Sequence, residues 1–450
     1  MINQTTASQR PPMALLAVLN AILLSASVFL GPIASMAAIG GIAVLLATIL
    51  SEFGFVFITT LISHINDGPD AQFEIIRLSK WIIIAIALVV TLWQFLLRED
   101  WQLPKIGFIE KYFAVFIVWG MACLFFSDSP RASITEFVRS IALYILYFIT
   151  KETVRDKRRV IAILALFTLV AFSSSVYSIG ELLQGSYFRV RGFMDNANGY
   201  GQFLSFVLPF VVASAVLARN KLLRYFLVFA STVGVLALML SWSRAAIGGI
   251  IVQLIVFLVA EKKYRALVYT GAATAALMIG LLAIPSVYDI FYKVARLQAG
   301  TTHRTALWEA GIHSVADSPV FGQGFEVKVS DVIDRVYWND LSEALVFKNQ
   351  SGRYYAHNHF IQAAVATGIP GLLIFLAFMY YLIKNGLREY HEAAGTRARV
   401  LYSAMLSVHF SMIFVCFFSG APLFGSGTYA NYFWIALGMV HSIRVNKIAV

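Results

Sequence analysis

Charge is scarce in this chain: 13% of its 450 residues are charged against 59% hydrophobic. A water-soluble globule of this size would carry about twice that charge on its surface, so that class is excluded. Cysteine is scarcer still. Cys123 and Cys416 each sit inside an apolar run, which argues against a disulfide or a thiolate metal site and makes both packing residues. Repeats, low-complexity tracts and a separate soluble domain are also missing. The formal net charge is +11, but no contiguous basic patch with interleaved aromatics accompanies it. A nucleic-acid partner is therefore not expected.

What the chain has instead is a series of long apolar runs and a mean hydropathy of +0.75. Spanning hydrocarbon takes about 20 apolar residues per helix, whereas a barrel would show alternating strands of about ten. Unbroken stretches such as Trp81 to Leu97 and Tyr225 to Leu240 point to helices, and hence to an all-α polytopic membrane protein. The runs place spans at 81–97, 112–127, 137–150, 160–183, 199–218, 225–242, 245–260, 266–285, 361–383, 400–418 and 425–443. Residues 13–62 hold one to three more. Met13 to Leu30 resembles a secretory leader, but hydrophobicity resumes at once at Ile33, which favours an uncleaved first helix.

Basic residues recur in alternate loops: Lys151 to Arg159, Arg219 to Arg224, Lys262 to Arg265, Lys384 to Arg399, and Arg444 with Lys447. By the positive-inside rule these loops face the cytoplasm. The other loops then face outward, and the longest of them separates three regions. Residues 1–285 form helices with short loops, 286–358 form an outward loop subdomain, and 359–450 form the C-terminal helices. Within the long loop, Thr302 to Ala310 reads as a helix with Arg304 and Trp308 on one face.

Arginines in outward loops escape the topological explanation, and Arg189, Arg191, Arg244, Lys293, Arg296, Arg304 and Arg353 are the outward cations. Arg189 and Arg191 lie in an amide-rich turn ahead of a helix start, a setting that favours an anion. Arg244 joins two apolar runs with almost no loop and is held at the membrane surface. The bland alternatives are snorkelling to lipid head groups for Arg191 and Arg244, and plain solvation for Arg304. His357 ends the long loop in Ala356-His357-Asn358-His359-Phe360. With a reference pKa of about 6.5 it suits proton transfer, although a polar helix cap would also explain it. His359 projects from another helix face and ranks second. Gly368 and Gly371, taken alone, read as small residues for close helix packing.

The order of these features resembles the bacterial O-antigen ligase and O-antigen polymerase superfamily. His357-Asn358 followed by Gly368-x-x-Gly371 is similar to its histidine motif. Arg304-x3-Trp308, Ser243-Arg244 and Arg191-Gly192 with Asn196-Ala197-Asn198 are similar to its other landmarks. The resemblance implies a membrane glycosyltransferase of C type with about twelve helices and a site facing the periplasm of the bacterial inner membrane. It implies that His357 activates the acceptor hydroxyl while Arg191, Arg244 and Arg304 hold the donor's undecaprenyl diphosphate. Asn358, Arg189 and His359 would be supporting residues. The acceptor so implied is lipid A-core, the surroundings are membrane lipids, and neither a cofactor nor a metal is required. Asp195-Asn196-Ala197-Asn198 is closer to polymerase-like members, which leaves a growing glycan as an alternative acceptor. Protein O-oligosaccharide transfer and polyprenyl-glycan transport rank lower, the latter because charge is almost absent from the helix interiors.

Overall fold

The computed structural model describes residues 106–183, 189–194, 196–262, 304–325, 355–419 and 428–450, with a few isolated positions besides. Every regular element among them is α-helical. In chain order these are α1 Phe108–Phe125, α2 Pro130–Thr153, α3 Lys157–Leu183, α4 Ala197–Leu217, α5 Lys221–Leu240, α6 Arg244–Ala260, α7 Arg304–Asp317, α8 His359–Glu392, α9 Arg399–Cys416 and α10 Thr428–Val445. Seven are long and apolar enough to cross a membrane, and α6 is a shorter apolar helix of the same character. The expected spans within 13–97 and 266–285 lie outside the described residues.

The starts of several helices follow from local chemistry. Asn196 accepts from the Gly199 amide and Asn220 from the Leu223 amide, so α4 and α5 each begin on a side-chain cap. Pro130 opens α2, where the missing N–H costs nothing and the fixed φ suits a first turn. For that reason α2 starts seven residues ahead of the expected 137, and Glu136 and Arg139 fall inside it as an ion pair. The helix interiors are thus less free of charge than the hydropathy pattern suggests.

The apolar windows of α4 and α9 are 72% buried, against 33% for α1 and α5, so the first pair is central and the second peripheral. Peripheral side chains such as Leu222, Phe226 and Phe229 remain exposed, as a face turned to lipid would be. In the middle, rings meet edge to face: Tyr432 sits 4.7 Å from Phe203 and 5.7 Å from Phe167, and Trp434 5.4 Å from Phe113. Small residues permit the tightest approaches. A methyl group on Gly438 would lie 2.7 Å from the Tyr147 carbonyl oxygen, which fixes how closely α10 lies on α2. Both cysteines are buried and free.

One end of the bundle gathers the basic residues of the alternate loops and pairs them. Lys151 bonds Glu110 at 2.7 Å, Arg444 bonds Glu389 at 3.0 Å, Arg399 lies 3.5 Å from Glu261, and Arg397 caps the Leu217 carbonyl at the end of α4. Tyr147 and His441 bond each other at 3.0 Å nearby. The turns that carry Arg191, Arg244 and His357 lie at the opposite end.

Helix α8 is broken at Gly368, whose φ of 70° and ψ of −178° only glycine adopts readily. The break frees carbonyls that hydrocarbon would leave unmet, and each finds a donor. Gln323 N donates to Val365 O (2.8 Å), Gly324 N to Ala366 O (3.1 Å), and Trp119 Nε1 to Thr367 O (2.9 Å). In return Ile369 N donates to Pro319 O at 2.8 Å, and Pro370 has no N–H to satisfy. Gly368 is therefore a backbone break rather than the packing residue its spacing suggests. The segment 319–324 that follows α7 is strapped across it.

Candidate functional site

Three turns and one helix start form the candidate site. Arg189 braces the first turn to the second: its Nε donates to Ser241 O at 3.0 Å, and its second guanidinium arm donates to Asn198 Oδ1 at 2.8 Å and Trp242 O at 3.5 Å. Val190 N adds a bond to Leu240 O at 3.3 Å. The turn carrying Arg191 is thereby fixed beside the turn carrying Arg244. Gly192, at φ 57°, closes that turn against Tyr200 and Ser174, where a side chain would clash.

Helix α7 brings in Arg304. It packs on the first turns of α8 through a small cluster of Leu307, Ala310, Ala356 and Val365. The third turn, 355–358, leads into α8. There Asn358 Oδ1 accepts from the amides of Phe360 and Ile361 at 3.0 and 3.2 Å, capping the helix. His357 just before it is held at φ 48°, a left-handed conformation unusual for histidine. Gln362 supplies the support: Oε1 accepts from Ala356 N and Nε2 donates to Val327 O, both at 3.1 Å.

Electrostatics tie these elements together. Burial first, and the Arg304 charge second, push the His357 imidazole below its usual value, so it is neutral at pH 7 and can accept a proton. Burial and then the Arg244 charge push Arg304 downward in the same way. Arg244, Arg304 and His357 thus lie within electrostatic reach in a chain, and like charges held together at a partly buried site favour an anion. Among the described residues neither Arg244 nor Arg304 has a carboxylate within ion-pair distance.

Most residues expected from sequence fall within the described part of the chain. Arg304 lies within electrostatic reach of both His357 and Arg244, and the turn that carries Arg191 is braced to the turn just before Arg244. Arg189 is the brace and Asn358 the cap. His359 is buried on a different face, edge-on to Phe375 with centroids 4.8 Å apart. Asp195, Lys293, Arg296, His303 and Arg353 lie outside the described residues. Sequence reasoning missed Glu181, which hydrogen-bonds Tyr177 and lies within electrostatic reach of Arg191 near the end of α3. It also missed the Gln362 clamp and the strap 319–324. The buried Ser243 Oγ, next to Arg244, and Trp308 Nε1, one turn after Arg304, have no hydrogen-bond partner among the described residues. Among the described residues no group of three or more His, Cys, Asp or Glu could hold a metal ion.

Residues 226–376 match the family model described as O-antigen ligase. The chain is 24% identical to an exopolysaccharide production protein, ExoQ, of Rhizobium meliloti, over 65% of this chain and 68% of that protein. It is 22% identical to a putative polysaccharide ligase of Rickettsia felis, over 64% of this chain and 75% of that protein.

Proposed function

We propose that this chain, whose residues 226–376 match the family model described as O-antigen ligase, moves a polysaccharide from undecaprenyl diphosphate to a sugar hydroxyl of lipid A-core. The reaction is an inverting displacement. The neutral imidazole of His357 takes the acceptor's hydroxyl proton as the oxygen attacks the anomeric carbon. The bond from that carbon to the diphosphate oxygen breaks, and undecaprenyl diphosphate leaves. Arg191, Arg244 and Arg304 receive the charge that develops on the leaving group, since guanidinium stays ionised and binds phosphate oxygens in pairs. The observation that carries this reading is the cationic pair Arg244 and Arg304 beside an imidazole that burial keeps neutral.

The paired basic residues at the far end of the bundle support a cytoplasmic placement for that end, which would turn the site to the periplasm of the inner membrane. A second reading, polymerisation onto a growing glycan, is favoured by the likeness to an exopolysaccharide production protein. Purified protein in bilayers, given undecaprenyl diphosphate glycan and lipid A-core, separates the two. One joined product supports the ligase, and a ladder formed without lipid A-core supports the polymerase. Donor left intact in both mixtures would contradict the proposed transfer.

A further inference from the structure

A cavity begins beside His357 and runs into the bundle. Tyr355 and His359, two residues to either side of His357, both line it, so their Cα atoms lie within about 7 Å of that of His357. Along α8 the lining continues through Ala363, Ala366 and Gly371 to Phe375, about 24 Å of helix, and the facing walls are α1 and α2. One turn deeper the same three helices close: Phe378 stacks on Tyr112 at 4.3 Å, and Tyr144 on Phe113 at 3.9 Å. The space is therefore a slot with a floor, set among helices long and apolar enough to cross a membrane.

Below its mouth, the polar side chains of the slot are engaged within the protein. Arg139 pairs with Glu136, Ser140 donates to Glu136 O, Thr367 to Ala363 O, and Trp119 to Thr367 O. Both polar atoms of the Gln362 side chain are bonded to backbone. What remains is aromatic and aliphatic surface, with no lysine or arginine among the lining residues. Such walls suit hydrocarbon, which recovers dispersion contacts that an empty apolar space forfeits. A diphosphate or a sugar would lose its water there for few hydrogen bonds in return. Two lipids of the proposed reaction carry hydrocarbon, and their connectivity separates them. The prenyl chain of the donor is joined to the diphosphate whose other end holds the reacting anomeric carbon, so it starts one diphosphate away from the atom at His357. The acyl chains of lipid A-core are held off from the reacting hydroxyl by the core sugars. Only the prenyl chain begins within reach of a slot whose mouth flanks His357. We infer that the slot between α1, α2 and α8 takes the diphosphate-proximal isoprene units of the donor, and that its floor turns the rest of the chain out to the bilayer. Val118 and Leu373, next in sequence to the lining residues Trp119 and Ile374, are exposed, as that exit requires. The inference rests on the proposed transfer from undecaprenyl diphosphate and names the part of the donor lipid that the protein reads.

The test is photo-crosslinking of the purified full-length protein in bilayers with two undecaprenyl diphosphate analogues. One carries a diazirine on the second isoprene unit from the diphosphate, and the other carries it on the last unit. The first should label the peptides 112–120 and 359–375 about tenfold or more above the second. Ala363→Phe, which fills the slot from the α8 wall, should cut that labelling about tenfold, and Ala363→Ser, which leaves the space open, should not. Labelling by the first analogue that falls elsewhere on the native protein, or that Ala363→Phe leaves unchanged, overturns the inference. So does equal labelling by the two analogues, which would remove the role of the floor. Labelling of the same peptides by lipid A-core with the diazirine on an acyl chain would give the slot to the acceptor and overturn it too. Failure of the proposed transfer reads differently, as a labelled slot with no joined product when unmodified donor and acceptor are supplied.

Discussion

Replacing Gly368 by alanine tests whether the break in α8 holds the site together. At φ 70° and ψ −178° a side chain is strained by about 1–3 kcal/mol. The added carbon would also lie 2.0 Å from Val320 O and 2.4 Å from Val320 C, backbone atoms that cannot rotate away. The strap must therefore lift, which breaks the bonds Gln323 N to Val365 O, Gly324 N to Ala366 O and Ile369 N to Pro319 O. Each amide group left unmet costs about 1–3 kcal/mol. Taking the lower bounds, strain and three bonds together come to about 4 kcal/mol, or nearly three orders of magnitude in the population of the strapped state. Since the strap continues from α7, its release parts Arg304 from His357. Gly368→Ala should abolish glycan transfer in membranes and open 318–324 to limited proteolysis, at normal protein level. Gly180→Ala, where an added methyl meets nothing within 4 Å, is the control and should be neutral. If Gly368→Ala keeps half the native activity and the native proteolysis pattern, the strap does not organise the site.

Gln362→Leu removes both anchors of the turn bearing His357 and should lower kcat about 10- to 100-fold, consistent with roughly 1–3 kcal/mol for the lost bonds. Gln362→Glu, which keeps the acceptor for Ala356 N, should lie between, as single-turnover rates with saturating donor would show. The His357 imidazole sits below its usual value, so kcat/KM should stay flat through pH 7 and fall only under about 6.5. Arg304→Gln removes the smaller of the two causes and should move that acid limb upward; an unmoved limb in a pH–rate profile would refute the coupling. Arg191→Lys keeps the charge but loses the fork, so donor KM should rise about tenfold, one lost bidentate bond being worth roughly 1.4 kcal/mol. A donor KM equal to the native one would make Arg191 a head-group anchor.

The spans were legible in the sequence because hydrocarbon demands long apolar runs and little else. Their ends were less so: α2 begins at Pro130 and α8 extends to Glu392, whose polar last turns pair with Arg444. The candidate site was named from residue types alone, as guanidiniums and an imidazole in the loops that the charge pattern assigns outward, where a guanidinium has no topological reason to exist. What could not be read was the division of labour among them. Arg189 and Arg191 look alike in the chain, and only bonds to Ser241 and Trp242, about fifty residues away, make the first a brace. Gly368 read as a packing residue because the strap that crosses it comes from 319–324, a partner no local pattern reveals.

The role of His357 is the claim on which the rest depends, and it can be measured directly. His357→Ala protein, purified at normal yield, is given undecaprenyl diphosphate glycan and acceptor, and both donor binding and product are followed. The account predicts donor binding close to native and no joined product. Transfer at the native rate by that variant would contradict it.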